Sequence, residues 1–298
     1  MDLRTALPTD CVSLGRLQRN RLLGWTCLAL AAAPLLATGC TRVNAGPSPI
    51  ARRAELGVST RANSAPLVET ASVAARVVEF GRSVQGRPLV MHVFGDGAET
   101  VFIFGGIHGN EPTSASVASR LIEHLRNYPE VLGGRRVAIV AEANPDGLAE
   151  RRRGNAHGVD LNRNFPARNW RRADGDGRGH GPTPASEPET RAIMRAVDRL
   201  DPDCIISIHS IARGKHCNNY DGPGGSLATL MARLNSYPAR ATMGYETPGS
   251  FGSWAGIDRG IPTITLELPR DLSGSQCWRE NRAALLAVIQ PRTVYLSQ

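Results

Sequence analysis

The chain has 298 residues, a formal net charge of +8, 41% hydrophobic residues and only 5% aromatics. That length suits one large domain with a core of its own. The basic side chains are almost all arginine, with Lys215 the only lysine, and they are scattered rather than set in a stripe between stacking aromatics, which argues against a nucleic-acid partner.

Arg16, Arg19 and Arg21 precede an uncharged run from Leu22 to Leu36, and Ala37-Thr38-Gly39-Cys40 follows. The apolar run falls short of the ~20 residues of a comfortable membrane span, so residues 1–39 read as an export signal. The box around Cys40 resembles a bacterial lipoprotein cleavage site. An acylated Cys40 would hold an exported, periplasmic chain on a membrane surface rather than through it. An ordinary signal peptide or an uncleaved anchor is the alternative. Residues 40–72 carry Pro47, Pro49 and Pro66 among small polar residues without sustained periodicity and read as a tether. Residues 73–298 are then one catalytic domain.

From about Ala74 short β-rich runs alternate with helical ones, which predicts an α/β domain: a mixed sheet with helices on both faces. Leu89–Phe94 and Val101–Phe104 read as strands, and His92, inside the first, as a structural histidine. After Glu111, Ala118, Leu121, Ile122 and Leu125 keep the spacing of a buried helical stripe. Arg136–Ala141 is a strand, and Asn144-Pro145-Asp146-Gly147 a turn. Ser186 and Glu189 form a capping-box signal before a helix burying Ile193, Ala196, Val197 and Leu200. Cys204–Ile208 and Ile261–Leu266 are strands, Pro262 placing the latter late or at an edge of the sheet. Trp278–Ile289 closes the domain as a helix. Cys204 reads as a buried thiol, while Cys217 and Cys277 lie in loop-like settings where a disulfide is one option.

Chemistry gathers where strands end. His108-Gly109-Asn110-Glu111 follows Val101–Phe104 and a glycine pair, and His209 follows Cys204–Ile208. Two imidazoles and a carboxylate are a ligand set for one catalytic zinc with a position left open for water. Glu267 ends a third strand. Its bland reading is an ion pair with Arg270, and beside a metal it is a general base. Arg153, last of the run Arg151–Arg153, precedes Gly158–Pro166, where Arg163 is flanked by Asn162 and Asn164. Arginine holds carboxylates through paired hydrogen bonds.

The residues resemble the zinc carboxypeptidase family over about 78–290. The likeness rests on His108–Glu111, Asn144–Gly147, Gly158–Pro166, Ser207–His209, Tyr245–Trp254 and Thr265–Glu267. The resemblance implies that His108, Glu111 and His209 hold zinc, Glu267 is the general base and Arg153 holds the oxyanion. It makes Asn162 and Arg163 the clamp on a terminal carboxylate and Tyr245 a tyrosine that closes over substrate. Within the family, Gly81–Arg87, His180–Pro182, Ser186–Glu189 and Gly244–Trp254 are similar to the bacterial murein peptide amidases. That implies hydrolysis of the γ-D-glutamyl–meso-diaminopimelate bond in peptidoglycan-derived peptides. The alternatives are a general zinc carboxypeptidase on L-peptides, to which Gly252 at the family's specificity position lends no preference, a related deacylase, and a non-catalytic muropeptide-binding lipoprotein.

Overall fold

The structure, a computed structural model, describes residues 75–173 and 179–290. The expected signal, acylated Cys40 and tether lie outside the described residues. Two strands, β1 (Arg76–Arg82) and β2 (Pro88–Phe94), form an antiparallel hairpin. Then come β3 (Thr100–Phe104), α1 (Pro112–Asn127), β4 (Arg136–Val140), α2 (Pro145–Glu150) and α3 (Pro188–Leu200). The chain continues with β5 (Cys204–Ile211), β6 (Cys217–Asp221), α4 (Gly225–Asn235), β7 (Ala239–Arg240), β8 (Thr263–Pro269) and α5 (Gly274–Ile289). The strands make one eight-stranded sheet in the order β1-β2-β4-β3-β5-β8-β6-β7. Its centre, β4-β3-β5-β8, is parallel, with antiparallel partners β2 and β6 on either side.

Alternation along β3 explains the two layers of core. Val101 and Ile103 join Leu121, Leu125, Leu285 and Val288 on one face, while Phe102 and Phe104 join Ile193, Val197, Phe165 and Trp254 on the other. Each fully buried side chain of this kind contributes about 1.5–3 kcal/mol. The mixed sheet with helices on both faces is therefore as expected, as is the buried stripe of α1.

Several local expectations need correction. Asn144–Gly147 is more than a turn: the Asn144 side chain accepts from the Gly147 amide and caps α2. The Ser186/Glu189 capping box does not form. α3 starts at Pro188 after Glu187, and the Ser186 hydroxyl donates to Glu187 instead. A capping box does form at Ser273 and Gln276, which starts the last helix ahead of Trp278. Pro262 lies just before β8, which is an interior strand between β5 and β6, and its carbonyl accepts from the Ile205 amide. Cys217 opens β6 and Cys277 lies in α5. Both are buried free thiols, beside the Met243 sulfur and the Pro269 carbonyl respectively, so the optional disulfide is absent.

The Gly81–Arg87 stretch forms the β1–β2 turn and grips α2. Asp146, buried, accepts from the Ser83 hydroxyl at 2.9 Å, the Gln85 amide at 2.9 Å and Arg87 Nη1 at 2.5 Å. This fixes the start of the segment that leads to Arg153.

Candidate active site

Parallel strands present their carboxyl ends along one edge, and the predicted residues meet there. β5 and β8 both run further than the apolar pattern suggests. His209 and Glu267 sit inside them as register partners rather than after them. β3 leads through Gly105 and Gly106 to His108. Gly109 lies so close to the Gly147 carbonyl that a Cβ there would overlap it, so only glycine lets this loop seat against α2. Glu111 directly precedes α1 and makes no side-chain cap of its own, leaving its carboxylate free to point into the site.

His108, Glu111 and His209 are buried, with ligand atoms within 4.8 Å of one another. His108 Nδ1 is 3.0 Å from Glu111 Oε1 and 3.2 Å from His209 Nδ1, and His209 Nδ1 is 3.4 Å from Glu111 Oε2. Ligand atoms on a tetrahedral zinc with bonds of 2.0–2.1 Å stand about 3.3 Å apart. The chemistry of the set fits as well. His108 Nε2 is 2.9 Å from Asp160, and a carboxylate can only accept, so that nitrogen carries the proton and Nδ1 offers a lone pair. His209 Nε2 is 2.8 Å from the Ser207 hydroxyl, leaving its Nδ1 to face the same point. Lone pairs and a carboxylate converging on one point call for a cation. Until a cation claims Nδ1, burial lowers the His108 pKa but the Glu111 and Asp160 carboxylates outweigh it and raise it to about 9, so a proton competes with the metal for that lone pair. Burial would likewise raise Glu111 and Asp160, yet His108 leads the opposing charges that hold both carboxyls well below their usual range.

Of the three consecutive arginines, Arg153 reaches the site, donating to Asp160 Oδ2 at 2.8 Å and Glu111 Oε1 at 3.2 Å. Arg152 pairs with Glu150, and Arg151 closes α2 in the left-handed region. Glu267 is buried. Burial raises its carboxyl above the usual range and Glu111 adds to this, against His209, His108 and Arg153. Arg270 does not form the bland ion pair with Glu267. Its Nη2 donates to the Ser210 carbonyl at 3.0 Å and stands 3.8 Å from Glu111 Oε1.

These groups line a cleft of about 920 Å³ together with Asn162, Arg163, Tyr245, Gly252 and Asp221. Asn162 Oδ1 accepts from the Phe251 amide at 2.8 Å, tying the Asn162-Arg163 turn to the opposite wall. That wall is a π-helical turn, Gly252–Asp258, anchored by Trp254 stacked on Phe165 at 5.6 Å and by Phe251 edge-on to Phe165 at 5.2 Å. Tyr245 is 56% exposed on the rim.

Two residues of the site were not read from the sequence. Asp160 holds His108, Arg153 and the Asn162 amide at once. Its position one residue before the Leu161-Asn162-Arg163 turn was the available signal. Asp221 ends β6, and a Cβ built on Gly252 would overlap its carboxylate. Gly252 is therefore small because an acid occupies the space. Among the described residues no group hydrogen-bonds the Asp221 carboxylate, and burial pushes its carboxyl up to about 6.

The zinc carboxypeptidase family model matches residues 65–216. Murein peptide amidase A of Escherichia coli (strain K12) is 34% identical over 221 residues, covering 68% of this chain and 86% of that protein. That of Vibrio campbellii is 31% identical, covering 76% and 92%. The crystal structure of murein-tripeptide amidase MpaA from Escherichia coli O157 matches with a TM-score of 0.61 at 30% identity, over 76% of this chain and 97% of that one. Bovine thrombin-activatable fibrinolysis inhibitor, at 22% identity and a TM-score of 0.63 over 72% of this chain and 88% of that one, shares the fold.

The chain belongs to the zinc carboxypeptidase family. It is a zinc-dependent hydrolase of the amidase and carboxypeptidase kind, which removes the non-catalytic reading.

Proposed function

We propose that the chain hydrolyses the γ-D-glutamyl–meso-diaminopimelate bond of peptidoglycan-derived peptides. The carrying observation is Asp221, a carboxylate facing the cleft without a hydrogen-bond partner among the described residues. An apolar leaving residue would strand that charge, whereas diaminopimelate brings a side-chain ammonium to it. The two amidases that are 34% and 31% identical support this choice. An L-lysine or L-arginine leaving group would also meet Asp221, which makes release of basic C-terminal residues the second reading.

His108, Glu111 and His209 hold the zinc, which supplies Lewis acidity that acidifies water and polarises the carbonyl. Arg163, steadied by Asn162, receives the carboxylate beside the scissile amide. Glu267 takes a proton from the attacking water as its oxygen bonds to the carbonyl carbon. Arg153 holds the oxyanion that develops. As the C–N bond breaks, Glu267 passes the proton to the leaving nitrogen. Tyr245, at the rim, folds over bound substrate and screens it from solvent.

Hydrolysis rates on L-Ala-γ-D-Glu-meso-diaminopimelate against dipeptides ending in lysine, arginine, leucine and glutamate test the proposal. The tripeptide is expected to be cleaved fastest, and a preference for the lysine and arginine dipeptides would install the second reading.

Export and acylation at Cys40 belong to the same proposal, supported by the Leu22–Leu36 run and the Ala37–Cys40 box. Cys40→Ala is expected to abolish palmitate labelling and to move the protein out of the membrane fraction. An unlabelled wild type would refute acylation.

A further inference from the structure

One cation beside the ligands has no part in the chemistry above. Arg270 lines the cleft and is about half exposed, and its guanidinium makes a single hydrogen bond among the described residues, to the Ser210 carbonyl. Three charged groups near it are engaged elsewhere. Arg153 is held by Asp160 and Glu111, Arg171 pairs with Glu246 at 2.8 Å, and Asp271, next to Arg270, pairs with Arg213 at 3.0 Å. The 3.8 Å approach to Glu111 is long, and that carboxylate already faces His108, His209 and Arg153.

The register of β8 gives the cleft a direction. Thr263 pairs with Asp221, Glu267 with His209 and Cys217, and Arg270 follows Pro269 with its amide on the Ile211 carbonyl at 2.8 Å. At about 3.3 Å per residue, Asp221 lies level with a point ~13 Å before Glu267, and Arg270 ~10 Å after it. A substrate whose leaving residue reaches inward to Asp221 must send its acyl part outward, past Glu267, to Arg270.

We propose that Arg270 binds a free carboxylate on the acyl side of the scissile bond and so determines specificity for acidic acyl groups. This rests on the amidase reading, in which the acyl residue is γ-linked glutamate with a free α-carboxylate. In an α-linked peptide the α-carboxyl is itself the scissile carbonyl, so the acyl residue keeps no free α-carboxylate. A guanidinium meets a carboxylate with two parallel hydrogen bonds, and a partly solvated contact of this kind is worth about tenfold in kcat/KM.

The test compares L-Ala-γ-D-Glu-meso-diaminopimelate with the same tripeptide carrying a carboxamide in place of the glutamate α-carboxylate. The zinc-loaded wild type is expected to favour the acid about tenfold, mainly through KM. In Arg270→Ala the ratio should fall to about one, and in Arg270→Lys it should be intermediate. Calorimetry gives a second readout, in which the product L-Ala-D-Glu binds the wild type more tightly than its amide and binds Arg270→Ala no better than the amide. A ratio of one in the wild type, or an unchanged ratio in Arg270→Ala, would overturn the proposal. If the wild type cleaves neither tripeptide but releases basic residues, the amidase reading falls by itself. The same acid-to-amide ratio measured on γ-glutamyl-lysine then decides Arg270 separately.

Discussion

Asp221→Asn preserves the shape of the cleft and deletes its charge. Burial raises the Asp221 carboxyl from 3.8 to about 6. Linkage converts that to about 3 kcal/mol, an upper figure because the cleft admits solvent to the group. The folded chain binds this proton more tightly than the unfolded one. Its stabilising contribution is therefore complete below pH 3.8 and is lost as the pH rises through about 6. At pH 7.5 the wild type bears the cost of an unpaired, largely desolvated carboxylate, and Asp221→Asn does not. Urea denaturation should show the variant more stable by about 1–3 kcal/mol at pH 7.5 and nearly equal near pH 4. Activity should move the opposite way. Losing an ion pair to the substrate ammonium should cost about 10- to 150-fold in kcat/KM. The wild-type preference for diaminopimelate over 2-aminopimelate as leaving group, which lacks the distal amine, should rise with pH through about 6 and be flat in the variant. Equal stability at pH 7.5 together with unchanged preference would refute a cleft-facing anion that reads the substrate amine.

Glu267→Gln should retain zinc, measured by metal analysis, while turnover falls by about 10²–10⁴-fold; near wild-type rates would remove Glu267 from the proton transfers. Asp160→Asn should weaken zinc binding by about 10–100-fold in competition with a chromophoric chelator, because the proton on His108 Nε2 loses its anionic acceptor. Asp146→Ala strands the Ser83 and Gln85 donors and leaves Arg87 to solvent, and should cost about 1–3 kcal/mol in urea denaturation. Ser83→Ala should cost about 1 kcal/mol.

What could be read from the chain was whatever repeats at short range. The apolar run of β3 followed by glycines, and the Cys204–Ile208 run, pointed to strand ends, and His108, Glu111, His209 and Glu267 stood there. The helical stripe of α1 was visible for the same reason. β6 was missed because Cys217–Asp221 carries polar residues on a strand whose side neighbours come from distant parts of the chain. α4 was missed because it begins with Gly225 and has no side-chain cap. Asp160, Asp221 and Arg270 acquire meaning only from contacts between segments far apart in sequence: β6 against the Gly252 turn, the Asp160 turn against His108, and the end of β8 against Ser210. The Ser186–Glu189 spacing had the right letters for a cap, but Asn164 holds Ser186 and Glu187 in another role, accepting from the Glu187 amide and donating to Ser186.

The most direct test is mass spectrometry of the products formed when the zinc-loaded protein meets L-Ala-γ-D-Glu-meso-diaminopimelate. Release of free diaminopimelate and L-Ala-D-Glu, abolished by a chelator and restored by zinc, is the predicted result. An intact tripeptide under conditions where a lysine- or arginine-terminated peptide loses its last residue would contradict it.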